Sequence, residues 1–441
     1  MPQRPLNREQ VWLLPPTLDE LIGQDHPVRF VAAFVDALDR ARWAEMGIER
    51  DGEVMGAPSY DPWALLSVWL YGFMTGIRSC RKLEAACRDQ IPYLWLTGWQ
   101  HPDHNTLWRF YKAHREGMRK LLKYTVRTAV AAGLVDLAVQ AVDGTKLAGN
   151  AAKDRTYDAE GLSKLLERTE AAIAELEAQN QGGEDPPPPR LPQELSQAKA
   201  LREQVQSALA QVTAEEGPQR VNLTDEDATL MKGRQGFVAG YNGQAMVSPL
   251  KADTAQRTGL LITAAEVVTD PEDHAQLLPM LEAAEELTGQ PAGLTLADAG
   301  YHSGANLAAC AQREQAVLMS EAQKKALKDP YHKDAFAYDA EKDCYTCPKG
   351  QTLSFRGLKE RESRPVMRLY RGSAALCRAC PAFGACTKDK RQGRALEVGP
   401  HERALRSHRE RMQSAEAKAA YRQRKELPEP VFGIIKEQMG G

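Results

Sequence analysis

Two runs in this 441-residue chain join a strand-like apolar stretch to a carboxylate and a glycine. The first is Ala141-Val142-Asp143-Gly144-Thr145-Lys146, preceded by Leu134, Val135, Leu137, Ala138 and Val139. The second is Leu294-Thr295-Leu296-Ala297, running into Asp298-Ala299-Gly300-Tyr301-His302-Ser303. A short apolar run reads as a buried strand, and an unpaired carboxylate is costly to bury. Each aspartate is therefore expected at a strand end, beside a partner or a metal ion. The two strand ends are expected to converge at one edge of a sheet, where paired carboxylates hold hard divalent cations through oxygen. From the local residues alone, an ordinary Asp-Gly turn remains open for Asp143-Gly144.

A second chemistry is thiol-based. Five of the eight cysteines fall between Cys344 and Cys386. Cys344-x2-Cys347 is followed by Cys377-x2-Cys380, the spacing of a four-thiolate zinc site that pins a small ribbon. Cys386 is spare or replaces one of the four, and His332 is a weaker substitute. Such a closed site is structural. Unligated thiols are the alternative, and Cys80, Cys87 and Cys310 read as small buried hydrophobes. A third set lies at Tyr421-Arg422-Gln423-Arg424 and Glu429-Pro430 through Lys436. Pro430 suits the first turn of a helix. Glu429 and Lys436, two turns apart, then share a face. With Arg424 they set an acid and two cations at one place; a plain charged helix is the other reading.

The elements that must position these residues follow from periodicity. Residues 1–135 read as nearly all helix, with helical spacing over Val28–Leu38, a break at Pro58–Pro62 and an apolar helix over Leu65–Phe73 that stops at Gly76. Ser79 is expected to cap the helix Arg81–Arg88. Leu94–Trp99 reads as a turn region. Asp103 or Asn105 caps a basic helix bearing Arg109, Lys112, His114, Arg115, Arg119 and Lys120. A basic second helix fits a helix-turn-helix or a core helix with a solvated face; Trp69, Trp95, Trp99 and Trp108 read as core. Asp158–Glu216 reads as a helical hairpin, an antiparallel coiled-coil arm, turning at Gly182–Pro189. Strands follow at Phe237–Val247 and Gly259–Val268, a helix at Pro271–Thr288 with Asp270 as cap, a helix capped by Ser303, and a strand at Ala316–Ser320. The order is that of an α/β fold with a mixed sheet.

The length suggests roughly two to four domains. A net charge of −2 excludes no partner class, because Arg403–Lys425 is basic while Glu160–Glu216 is rich in Glu and Gln. No stretch has the length and apolarity of a membrane span, and Met1–Pro15 lacks the apolar core of a signal peptide. The expectation is a cytoplasmic protein.

Taken in order, these pieces resemble the bacterial insertion-sequence transposases of the DDE class with a Y-R-E-K signature, most closely the eleven-eighty-two group. The resemblance spans essentially the whole chain. It rests on Tyr60-Asp61-Pro62, Gly76-Ile77-Arg78-Ser79-Cys80-Arg81-Lys82-Leu83-Glu84, Pro102-Asp103-His104-Asn105-Thr106-Leu107, Asp143-Gly144-Thr145-Lys146, Gly240-Tyr241-Asn242, Ala297-Asp298-Ala299-Gly300-Tyr301, the cysteine pairs and Tyr421…Arg424…Glu429…Lys436. It implies an RNase H-like core over 136–320, interrupted by an arm at 157–216. A helical DNA-binding domain would precede it over 1–135, a zinc-ribbon-like insertion would follow over 321–400, and a basic helical end over 401–441. Asp143, Asp298 and Glu429 would be the catalytic carboxylates, holding two Mg²⁺. Tyr421, Arg424 and Lys436 would contact DNA near the cleaved end, and the N-terminal helices would bind terminal inverted repeats. Zinc would be structural. The implied setting is a bacterial, nucleoid-associated homodimer acting on element ends and target DNA. Relatives usually continue further beyond the signature lysine. A shortened, catalytically inactive DNA-binding inhibitor is therefore the alternative expectation, and a nuclease that cleaves without joining is a third.

Overall fold

The computed structural model describes residues 16–48, 59–181, 191–215, 217–233, 236–251, 259–321, 329–361 and 364–437. The expected turn at Gly182–Pro189, Pro58 and Met1–Pro15 lie outside them. The chain forms two compact units, residues 1–128 with 433–441, and residues 129–432.

The first unit is helical: α1 (Pro27–Asp36), α2 (Arg40–Glu45), α3 (Pro62–Met74), α4 (Cys80–Asp89), α5 (Ile91–Thr97) and α6 (His104–Ala131). Side-chain acceptors start four of these six helices by satisfying first-turn amides. His26 accepts from Val28, Asp39 from Arg42, Asp61 from Trp63, and Asp103 from Thr106. Ser79 precedes α4 but makes no side-chain cap bond. Leu65, Leu66, Val68 and Trp69 of α3 pack with Val31, Val35, Leu83, Tyr93, Leu107 and Phe110. The expected turn at Leu94–Trp99 is instead the end of α5, which Pro92 helps to start and Gly98 terminates in the left-handed region at φ 57°. The basic helix α6 therefore follows α5, not α4 directly. Trp99 and Trp108, expected in the core, are exposed, whereas Trp69 is buried.

The second unit begins with β1 (Gln140–Ala148) and β2 (Thr156–Tyr157), then the arm helices α7 (Ala159–Gln181) and α8 (Leu191–Thr213). After β3 (Val221–Asn222) come β4 (Thr229–Gly233), β5 (Gly236–Pro249), β6 (Leu260–Val268), α9 (Leu277–Thr288), β7 (Thr295–Ala297), α10 (Gly304–Gln312) and β8 (Val317–Met319). The main sheet runs β4-β5-β1-β7-β8, with β6 also on β5. The pairs β4/β5, β5/β6 and β1/β5 are antiparallel, while β1/β7 and β7/β8 are parallel. Alternation along β1 feeds two cores. Val142 joins Met246, Leu277, Met280 and Leu307 on one face; Ala141 joins Ala245, Val247, Leu296 and Leu318 on the other. The arm is rooted by β2 pairing with β3 and by Leu162, Val205, Ala208, Val221 and Leu223.

A second sheet follows: β9 (Ala337–Asp339), β10 (Cys344–Thr346), β11 (Thr352–Arg361), β12 (Arg364–Gly372), α11 (Ala374–Ala379) and β13 (Ala395–Val398). Its five strands run β13-β12-β11-β10-β9, all antiparallel, around Phe336, Tyr345, Leu353, Tyr370, Leu396 and Val398. This is a larger element than the small metal-pinned ribbon expected, with an aromatic core of its own. The unit closes with α12 (Glu402–Gln413) and α13 (Ala415–Arg422), and α14 (Pro428–Glu437) comes last. The basic stretch they carry is not all available to solvent. Arg409 makes two hydrogen bonds to Glu321 and pairs with Asp334, and Arg406 donates to the carbonyls of Lys333 and Phe336. Among the described residues no helix is long and apolar enough to cross a membrane.

Candidate active site

Asp143 lies in the middle of the nine-residue β1, not at its end and not in a turn. The apolar residues 134–139 precede the strand rather than forming it. The parallel register pairs Gln140 with Thr295 and Ala141 with Leu296. Carried two residues further, it sets Asp143 beside Asp298, the first residue past β7. Both expected aspartates are thus brought together by one strand pair.

The charge state of Asp143 follows from this. Burial first, and the Asp298 charge second, push its carboxyl up from 3.8 to about 6, against the opposing pull of Arg424 and the Gly144 amide. The Gly144 N–H donates to Asp143 Oδ1 at 2.9 Å, and Arg424 Nη1 stands 3.4 Å from Oδ2. The Gly300 N–H donates to Asp298 Oδ1 at 2.7 Å. Arg424 is thereby drawn to a catalytic candidate. Tyr421 is tied into the sheet: its hydroxyl donates to the Ala297 carbonyl at 3.0 Å and accepts from Ser320 N at 3.2 Å. These bonds anchor α13 over the end of β7.

Glu429 is exposed in the first turn of α14. Among the described residues no hydrogen bond or ion pair joins it to either aspartate. Lys436 is exposed in the last turn of the same helix.

A further carboxylate faces the pair, and it is one that periodicity missed. Asp273 was hidden in a helix expected from Pro271, but α9 starts at Leu277, and Asp270 accepts from Glu272 N within the preceding loop. Asp273 Oδ1 accepts from Asn242 Nδ2 (2.8 Å), Gln244 Nε2 (3.0 Å) and Lys146 Nζ (3.4 Å). Its charge adds to the upward push on Asp143. The available signal was the glycine after each aspartate, which marks a close approach by something else.

Two family models match the chain. One, described as Transposase domain (DUF772), covers residues 16–113. The other, described as Transposase DDE domain, covers residues 346–441. Together the two matches support an insertion-sequence DDE transposase. No curated protein and no solved structure matches it. The second match includes Tyr421, Arg424, Glu429 and Lys436, while Asp143, Asp273 and Asp298 lie outside both matched spans.

The cysteines depart from the expected arrangement. Cys347, Cys377, Cys380 and Cys386 line one small pocket, but Cys344 is absent from it and is buried on β10. Among the described residues no three His, Cys, Asp or Glu side chains form a group able to hold a metal ion. The expected four-thiolate set is therefore not assembled, and structural zinc is not supported.

Along α6, Trp108, Lys112, Arg115 and Arg119 recur at helical spacing and are all exposed, as is Arg109. Glu116 pairs with Arg115 and Arg119.

Proposed function

We propose that this transposase binds the terminal inverted repeats of its element and cuts and joins DNA strands at an RNase H-like core by Mg²⁺-dependent chemistry. The observation that carries the reading is the β1/β7 register, which sets Asp143 beside Asp298. The strand order supports the core assignment: antiparallel strands on one side of β1 and parallel ones on the other.

The donor chemistry suits divalent cations such as Mg²⁺, which keep several waters and need only one or two carboxylates. The donors are hard oxygens, Asp143 and Asp298 repel one another in a half-buried place, and the buried Asn242 Oδ1 beside Gly144 has no hydrogen-bond partner. Two Mg²⁺ held by Asp143 and Asp298, with Glu429 as third ligand, would supply an activated water and charge neutralisation at the scissile phosphate. The chain's own residues do the rest. Arg424 offsets the Asp143 charge until the cations are bound, and afterwards is free to hold a phosphate oxygen. Tyr421 fixes α13, and so Arg424, to the end of β7. The α6 stripe offers cations to the DNA backbone and Trp108 as a stacking surface. Lys436 adds a further phosphate contact, and a homodimer would present two such sites to element ends and target.

The test is cleavage. Duplexes carrying the element's end should be nicked at the end with Mg²⁺ and not with EDTA, and a target duplex should yield joined products. Cleavage without joining would leave a nuclease. End-specific binding without cleavage under Mg²⁺ or Mn²⁺ would favour the second reading, a DNA-binding inhibitor.

A further inference from the structure

The glycines of Asp143-Gly144 and Asp298-Ala299-Gly300 share an explanation. A Cβ on Gly144 would stand 2.7 Å from Asp273 Oδ1 and 2.5 Å from Gln244 Nε2. A Cβ on Gly300 would stand 3.0 Å from Asp273 Oδ2 and 3.0 Å from Asp298 Oδ1. One carboxylate is therefore seated on both glycines, Oδ1 over β1 and Oδ2 over the loop after β7. Its seat is rigid. Asn242 and Gln244, both buried on β5, donate to Oδ1 together with Lys146 of β1. Gln244 in turn accepts a hydrogen bond from the fully buried Tyr301, next to Gly300. Lys146 and Asn242 also hold the carbonyls of Pro271 and Asp270, clamping the loop that carries Asp273.

We infer that Asp273 is a positioning residue for the catalytic pair. It braces β1, β5 and the loop after β7 against each other, and so fixes the gap between Asp143 and Asp298. The physical need is plain. Two like charges on neighbouring strands tend to spread when no cation is bound, and a pair held at a fixed separation binds a cation without first having to be reorganised. The three N–H donors on Oδ1 hold the Asp273 carboxylate in place. The inference rests on the reading of Asp143 and Asp298 as cation ligands.

Mn²⁺ is the probe, with binding followed by its paramagnetic signal and cleavage measured in parallel. The wild-type chain should bind Mn²⁺. Asp273→Ala should weaken binding at least tenfold and lower kcat at saturating DNA by a similar factor, with the affinity for element-end DNA unchanged. Asp273→Asn, which keeps the shape, should recover part of both losses, which a residue needed only for folding would not separate from DNA affinity. Gly144→Ala, which evicts the Asp273 carboxylate from its seat, should weaken Mn²⁺ binding in the wild-type background and add less than twofold to the loss in the Asp273→Ala chain. Wild-type Mn²⁺ binding and cleavage in Asp273→Ala would overturn the inference, as would simple multiplication of the Gly144→Ala and Asp273→Ala losses. If Mn²⁺ binding shows the coupling but no DNA is cut, the brace stands and the catalytic reading falls. A wild-type chain that binds no Mn²⁺ overturns both.

Discussion

An Asp143→Asn chain should lose cleavage about a thousandfold or more, because each ~1.4 kcal/mol of lost transition-state stabilisation is tenfold and a metal-ligating carboxylate supplies several times that. Binding to element ends should persist. The same substitution should change stability in the opposite sense. Folding lifts the Asp143 carboxyl from 3.8 to about 6. The unfolded chain releases this proton near pH 4, while the folded one holds it until about pH 6. The cation-free wild type therefore loses stability as pH rises between these values, by up to about 3 kcal/mol, and the loss stays constant above. Asparagine carries no charge and escapes it. Arg424, only 15% exposed, gives up its partner in the variant and takes back part of the gain. A net stabilisation of about 1–2 kcal/mol at pH 8 is expected, shrinking to nothing by pH 4. Thermal melts in EDTA across this range measure it. Parallel curves for the two chains would mean that Asp143 is not strained in the folded state, and would remove the electrostatic argument for a cation at this place.

Gly240→Ala should unfold the chain more readily than any other glycine substitution in the main sheet. A Cβ there would stand 2.0 Å from the Leu147 carbonyl oxygen and 2.6 Å from Gly149 N. Both are backbone atoms, and neither can move without parting β1 from β5 at the Ala148–Gly240 pair. A cost of about 3 kcal/mol or more follows. Gly243→Ala is the internal comparison. Its Cβ would meet the end of the Leu147 side chain at 2.8 Å, which can rotate away, so a cost below about 1.5 kcal/mol is expected. Denaturant midpoints of the two variants decide the matter, and equal costs would show that the β1/β5 register is not held by close backbone approach. Because β1 also carries Asp143, Gly240→Ala should depress cleavage even where the chain remains folded.

The repeated pattern of apolar run, carboxylate and glycine was legible without coordinates, and it led to Asp143 and Asp298. What it could not give was where the strand sits relative to the run. β1 begins after Val139 because its boundaries are set by pairing with β5 and β7, which lie far along the chain. Asp273 was illegible for the same reason: it belongs to a loop whose meaning comes from the two glycines it covers. Cys344 failed on a local rule that the spacing hides. It lies on strand β10, where alternate side chains face opposite ways. Residues three apart then point to opposite faces, so C-x2-C placed there cannot behave as a knuckle in a turn. Glu429 was placed correctly at the start of a helix, but helical periodicity says nothing of which neighbour an exposed first-turn glutamate meets. Leu94–Trp99 reads as a turn because of its Thr-Gly-Trp end, yet Leu94–Thr97 belongs to α5, where packing of Tyr93 and Leu96 into the α3 core overrides the weak helical preference of the aromatic residues.

The contact between Arg424 and Asp143 spans 281 residues of sequence. During synthesis at ~5–20 residues per second, roughly 15–60 s separate the emergence of the aspartate from that of its guanidinium partner. Through that interval the nascent chain can pair β1 with β5 and β7, yet Asp143 has no Arg424 beside it and Tyr421 has not yet capped the end of β7. The acidic centre is thus assembled early and neutralised late, and any chain released before α13 is made would leave like charges side by side in the sheet without their cationic partner.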